Sequence, residues 1–227
     1  MKNVFLAGKF FDMVKVQRFP FNAFEVNTFV LHDESCECVV IDAGMQDQSE
    51  NNEIVAYIEG NSLKPVMLLN THTHIDHILG NAFLAEKYNL PLAAHRDAEK
   101  MMTNAGAYAM TFGIVLPKVK KIDLFLEDSE KIEFGNSTLE TLYTPGHADG
   151  SVCFYSAKDN FVTTGDVLFN QSIGRTDLPT GDYDLLQKSI WEKLFTLPDE
   201  TVVYPGHGPE TTIGFEKVNN PFVAIGT

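Results

Sequence analysis

Four side chains able to bind a divalent metal fall within six positions of one stretch: His72, His74, Asp76 and His77. Three distant positions, each beside a glycine, offer the same chemistry: His147 in Thr-Pro-Gly-His, Asp166 in Thr-Gly-Asp and His207 in Pro-Gly-His-Gly. A histidine cluster by itself could be a basic, pH-responsive turn, but the three distant sites argue against that. Five imidazoles and two carboxylates without a thiolate suit Zn²⁺, Fe²⁺ or Mn²⁺ rather than a soft-metal site. A structural zinc closes with four protein ligands, whereas a catalytic zinc takes three and keeps a position for water. Seven donors therefore divide as two sets of three plus one shared, which implies two divalent ions, zinc first, with iron or manganese as alternatives.

Elements must carry these residues to one point. The apolar run Val66–Leu69 delivers the first cluster, and alternation at 72, 74 and 76 predicts those side chains on one side of an extended strand end. Val14–Phe19, Phe24–Leu31 and Cys38–Asp42 read as a meander of antiparallel strands joined by short polar links. Ser49–Glu59 reads as a helix capped by Ser49, Asn81–Tyr88 as a second, Leu92–Ala94 as a strand and Arg96–Asn104 as a third helix. Gly106 to Pro117 is ambiguous, a segment that could overlook the site. Leu124 to Leu142 suggests a hairpin around Gly135-Asn136, and Val152–Tyr155 with Phe161–Thr164 another. Asp182–Phe195 reads as an amphipathic helix behind an Asp182 cap, and Thr201–Tyr204 as the last strand. Each ligand outside the first cluster follows a strand. Val39–Gly44 and Phe161–Asp166 are loosely alike and could mark an old duplication.

The 227 residues, 44% of them hydrophobic, suffice for one large domain, read as 13–227 behind an N-terminal appendage, 1–12. Lys and Arg total 17 against 31 Asp and Glu, so the surface lacks the basic field that nucleic acid or an anionic membrane requires. Cys36, Cys38 and Cys153 form no even framework and read as reduced thiols of a cytoplasmic protein. No apolar run approaches the ~20 residues of a membrane span, and no export signal is convincing. The expected partner is a small-molecule substrate, and the expected state a monomer or small homo-oligomer.

His-Thr-His-Ile-Asp-His with the later Thr-Pro-Gly-His, Gly-Asp and Pro-Gly-His resembles the metallo-β-lactamase superfamily of hydrolases, in order and spacing, from about Val14 onward. The resemblance implies a four-layer αββα sandwich, an α/β fold with the metals in a groove at one sheet edge. It implies that His72, His74 and His147 hold one ion, that Asp76, His77 and His207 hold the other, and that Asp166 bridges them. A water between such ions is acidified toward pKa ~7, so no Ser or Cys nucleophile is needed. Asp76 could also orient that water or accept its proton. His32 and His95 fall outside the pattern and read as non-ligands.

Ser172-Ile173-Gly174-Arg175-Thr176-Asp177 resembles the glyoxalase II group, hydroxyacylglutathione hydrolases in which a basic residue faces a thioester substrate; Arg175 would occupy that place, or would merely pair with Asp177. The longer enzymes of that group carry a C-terminal helical domain, and the resemblance is to the short single-domain type, so a single domain is expected here. The function so implied is hydrolysis of 2-hydroxyacyl glutathione or a related thioester through a metal-bridging hydroxide. The competing reading is a persulfide dioxygenase of the same fold, with one iron on His72, His147 and Asp166. Flavodiiron chemistry would want Glu where His74 stands, antibiotic hydrolysis a secretion signal, and a nuclease a basic surface.

Overall fold

The computed structural model describes residues 13–116 and 118–225, so the proposed appendage lies outside the described residues. Three strands open the chain, β1 (Lys15–Phe21), β2 (Val26–His32) and β3 (Glu37–Ile41), paired antiparallel in sequence order. Helix α1 (Gln48–Gly60) then crosses to β4 (Lys64–Leu69), α2 (Asn81–Tyr88) to β5 (Leu92–His95), and α3 (Glu99–Thr111) to β6 (Leu124–Leu126). These crossovers make the rest of the sheet parallel, in the order β1-β2-β3-β4-β5-β6. A second sheet begins with β7 (Lys131–Phe134), β8 (Ser137–Tyr143), β9 (Val152–Ser156) and β10 (Phe161–Gly165), again antiparallel neighbours. A small hairpin follows, β11 (Leu168–Phe169) with β12 (Ser172–Ile173), then α4 (Tyr183–Ser189). Strand β13 (Val202–Pro205) lies parallel to β10 and antiparallel to β14 (Thr211–Thr212), and α5 (Ile213–Asn219) packs behind them.

Three apolar layers define a four-layer αββα sandwich, as the resemblance implied. Phe29, Leu31, Val39 and Ile41 of the first sheet meet Ile132, Phe134, Leu139 and Phe154 of the second. Val30, Val40 and Leu68 point the other way, against Ile54 and Ile58 of α1, Leu84 of α2 and Met102 of α3. On the far side Cys153, Val162 and Val203 meet Leu186, Ile190 and Ile213. Strand β2 is buried at every position because both its faces are covered. Burying each large side chain contributes about 1.5–3 kcal/mol. Cys38 and Cys153 belong to these layers, and burial pushes both thiols up to about 12.

Several local expectations change. The cap of α1 is Asp47, not Ser49: its Oδ1 accepts from the amides of Ser49 and Glu50 at 2.8 and 3.0 Å. Strand β2 starts at Val26, not Phe24, because Asn22 and Glu25 both take positive φ and close a turn. Gly106 does not end a helix; α3 runs on to Thr111 because Met102, Ala105 and Ala109 form a buried stripe. Leu124–Leu126 is no part of a hairpin but pairs with β5, while the turn at Gly135-Asn136 joins β7 to β8. The helix from Asp182 is α-helical only through Ser189 and widens to a π-turn over Ile190–Leu194. No helix among the described residues is long and apolar enough to cross a membrane.

Candidate metal centre

The chain leaves β4 at Leu69 and does not continue as a strand. His72 and His74 lie in irregular chain and Asp76 and His77 in a single 3₁₀ turn, Ile75–His77, so a turn and not the pleat converges these side chains. His147 follows β8 in the loop before β9, Asp166 follows β10 and His207 follows β13. The loops are tied to one another: Val152 N donates to Thr71 O (2.8 Å), Gly206 N to Gly165 O (2.7 Å) and Asn27 N to Gly206 O (2.7 Å). Gly206 sits against the cluster, where a Cβ would overlap Asp166 Oδ1 and lie 2.9 Å from His77 Cε1. Glycine is what lets β13 end that close.

All seven predicted residues come together. Donor atoms lying within 4.8 Å of one another form three groups: His72, His74 and His147; His72, His77 and Asp166; and Asp76, His77 and His207. His74 Nδ1 faces His72 Nε2 at 3.0 Å and His147 Nε2 at 2.8 Å. Across the cluster, His207 Nε2 lies 3.2 Å and His77 Nε2 3.5 Å from Asp76 Oδ2. Asp166 stands between the two ends, with Oδ1 3.3 Å from His77 Nε2 and Oδ2 3.7 Å from His147 Nε2 and 3.6 Å from His207 Nε2. His32, bonded to the Tyr57 hydroxyl at 3.0 Å, and His95, stacked on Tyr143 at 4.2 Å, lie outside these groups.

Outer hydrogen bonds assign the tautomers. His77 Nδ1 donates to Asp42 Oδ2 (2.9 Å), His147 Nδ1 to Arg175 O (2.8 Å) and His207 Nδ1 to Phe24 O (3.0 Å). Thr71 Oγ1 spends its proton on Asp42 Oδ2 (2.6 Å), so it accepts from His72 Nδ1 (3.1 Å). Each of these four rings is thereby held with its Nε2 lone pair aimed inward, the arrangement that orients imidazole toward a metal. His74 differs: its Nδ1 faces inward and its Nε2 is buried without a hydrogen-bond partner among the described residues.

These residues fit a metal site. His77 Nε2 and Asp166 Oδ1 are buried without hydrogen-bond partners, though the two atoms face each other at 3.3 Å, a gap suited to an ion between them. The electrostatics point the same way. Burial, reinforced by neighbouring imidazoles, holds His72 well below the ordinary histidine value and His74 at about 3, so these rings are neutral donors at pH 7. Burial also disfavours charge on His77, yet the carboxylates of Asp76, Asp166 and Asp42 outweigh it and raise its pKa well above the ordinary histidine value, the negative field that a cation there would balance. His77 in turn overrides the burial of Asp166 and keeps its carboxyl far below the usual range.

Sequence reasoning missed Asp42. It follows β3 with φ +52° and accepts from Thr71 N (2.8 Å), Thr71 Oγ1 and His77 Nδ1. The likeness of Val39–Gly44 to Phe161–Asp166 was the available signal, since each segment brings a carboxylate to the cluster from the end of a buried strand. Arg175 is exposed and forms a bidentate pair with Asp177, Nε to Oδ1 and Nη2 to Oδ2 both at 2.7 Å, which holds the Asp177 carboxyl down to about 2. The pairing with Asp177 is thus present, while the Arg175 backbone carbonyl orients His147.

Fold and ligand set together define a metallo-hydrolase class. Residues 22–207 match the model of the metallo-beta-lactamase superfamily, and the chain belongs to that superfamily. It is 33% identical over 217 residues to the hydroxyacylglutathione hydrolase GloC of Haemophilus influenzae, covering 92% of this chain and 98% of that protein. Two solved structures, each 34% identical, superpose closely. The BLEG-1 B3 metallo-beta-lactamase has a TM-score of 0.83 and covers 92% of this chain and 99% of its own. TTHA1623 in a di-iron-bound form has a TM-score of 0.81, with 91% and 100% covered.

Proposed function

We propose that this metallo-hydrolase cleaves thioesters, in the manner of glyoxalase II, with two divalent ions at the seven-ligand cluster and zinc as the first choice of ion. One observation carries the reading: two three-ligand sets, His72–His74–His147 and Asp76–His77–His207, lie on either side of Asp166. A single iron on His72, His147 and Asp166 would leave the second set unused, so the dioxygenase reading ranks below.

Two ions held there would supply Lewis acidity, acidifying a water and polarising a carbonyl. The chain's own groups do the rest. Asp76, partly open to solvent beside His207, is placed to orient that water and to take its proton. Asp42, Thr71, Arg175 O and Phe24 O keep four imidazoles in one tautomer. Arg175 binds an anionic part of the substrate by exchanging Asp177 for it. A thiolate leaves without strong acid assistance, so a separate general acid is unnecessary. GloC supports this substrate class by its similarity along 92% of the chain.

The test is protein purified without added metal. Elemental analysis should approach two ions per chain, and a panel of thioesters, 2-hydroxyacyl glutathione among them, should be hydrolysed. A β-lactam belongs in the panel because of the likeness to BLEG-1. Oxygen consumption with glutathione persulfide, with every thioester untouched, would establish the dioxygenase instead.

A further inference from the structure

A row of three aromatic rings starts at Phe24, the residue whose backbone carbonyl holds the ring of His207. Phe24 and Phe112 are 39% and 47% exposed, although each is large and apolar. They pack edge to face at 6.0 Å, and Tyr108 meets Phe112 at 5.3 Å in the same manner. Phe24 is not a loose tip. Its carbonyl accepts from the ligand ring of His207, its amide donates to Asn22 Oδ1 (2.9 Å), and Asn22 Nδ2 donates to the carbonyls of Gly44 (2.8 Å) and Asp76 (3.1 Å). At the other end of the row, Tyr108 lies within electrostatic reach of the Arg175 guanidinium. The side chains of His207 and Asp76 are the part of the cluster that solvent reaches, at 27% and 13% exposure, and the row begins beside them.

Single exposed apolar residues need no explanation, but a contiguous aromatic row beside a reactive centre marks a binding surface. We propose that Phe24, Phe112 and Tyr108 form a ledge that seats the apolar acyl group of the substrate, with the anionic thiol portion reaching Arg175. The preferred substrates are then thioesters of aromatic or branched acids rather than of acetate. The inference deepens the hydrolase reading and rests on it for substrate class. One added apolar group in such a seat changes discrimination about 10–100-fold.

Two measurements separate the ledge from the chemistry. In the first, kcat/KM is measured for acetyl, isovaleryl and phenylacetyl thioesters of glutathione with the wild type, Phe24→Ala and Phe112→Ala. The wild type should favour phenylacetyl over acetyl about 10–100-fold, and each variant should cut that ratio severalfold. In the second, isothermal titration compares the inert thioethers S-phenethyl- and S-ethylglutathione, a readout that needs no turnover. The phenethyl compound should bind at least about tenfold more tightly, with the gap narrowed in both variants and partly kept in Phe112→Leu. A thioether preference in protein that hydrolyses no thioester keeps the ledge and removes the hydrolase reading. Equal binding of the two thioethers by the wild type, or a preference unchanged in both alanine variants, overturns the ledge.

Discussion

Asp42 and Asp166 reach the same imidazole from opposite sides, and their separate tasks give separate predictions. Asp166 faces three ligand rings, so Asp166→Asn removes charge from the middle of the cluster without changing its size. Metal content should fall and kcat should drop at least about 100-fold, measured by elemental analysis and thioester turnover; full occupancy with a near-normal rate would place the bridge elsewhere. Asp42 touches no donor atom of the cluster except through His77 and His72. Asparagine tolerates its positive φ, so Asp42→Asn should fold and yet lose metal affinity about 10–100-fold, read by competition with a chelator. Arg175→Ala should raise KM for an anionic thioester and leave kcat comparatively intact, since its side chain lies outside the ligand groups.

The elements are clamped at the end remote from the metals as well as at the centre. Asp33, in the turn between β2 and β3, accepts from Ser35 N (2.9 Å) and Ser35 Oγ, and also from Asn136 N (2.6 Å) and Ser137 Oγ (2.8 Å) at the β7–β8 turn. One buried carboxylate thus joins the two sheets. Burial would raise its pKa, but those hydrogen bonds outweigh it and lower the value below the ordinary aspartate range. A group depressed in this way stabilises the fold fully above its unfolded value, near 3.8, and the contribution is lost as pH falls through the lower folded value. Asp33→Ala should cost about 2 kcal/mol at neutral pH, because it strands the buried Ser137 hydroxyl and removes the bonds to Ser35 and Asn136. The difference from wild type in denaturant titrations should shrink only below about pH 4. A difference that persists unchanged at pH 2 would mean that packing, not the carboxylate, holds the turns.

At the scale of the whole molecule, the metal centre is also a joint. Its candidate ligands come from both sheets: the turn after β4 on one side and the loops after β8, β10 and β13 on the other. A cation there would be balanced by the carboxylates of Asp76 and Asp166 and held by neutral imidazole nitrogens from both sheets. Stripping the metal should therefore lower Tm, and restoring it should return Tm in a concentration-dependent way, by about 2.7 kcal/mol of stabilisation at a hundredfold excess over Kd. A Tm indifferent to chelation, in protein shown to have lost its metal, would confine the ions to a catalytic role.

Local signals made much of this legible. The β1–β3 meander, the β7–β8 and β9–β10 hairpins and the strand into the histidine cluster follow from alternation and turn residues near in sequence. The seven residues of the cluster were legible because their chemistry is written in residue type. Pairing between distant segments was not: three residues, Leu124–Leu126, join β5 only because that edge is open, and Gly106 stays helical only because Ala105 and Ala109 find a sheet to cover. Asp42 looked like any strand-end aspartate until β4 brought His77 beside it, and Phe24 and Phe112 became neighbours only when α3 folded over the first turn. Residue types fixed which chemistry the chain can do. The tertiary structure decided which groups orient the clustered imidazoles and which aromatic faces stay exposed beside them, because hydrogen-bond partners and exposed faces are set by contacts between segments that no local pattern encodes.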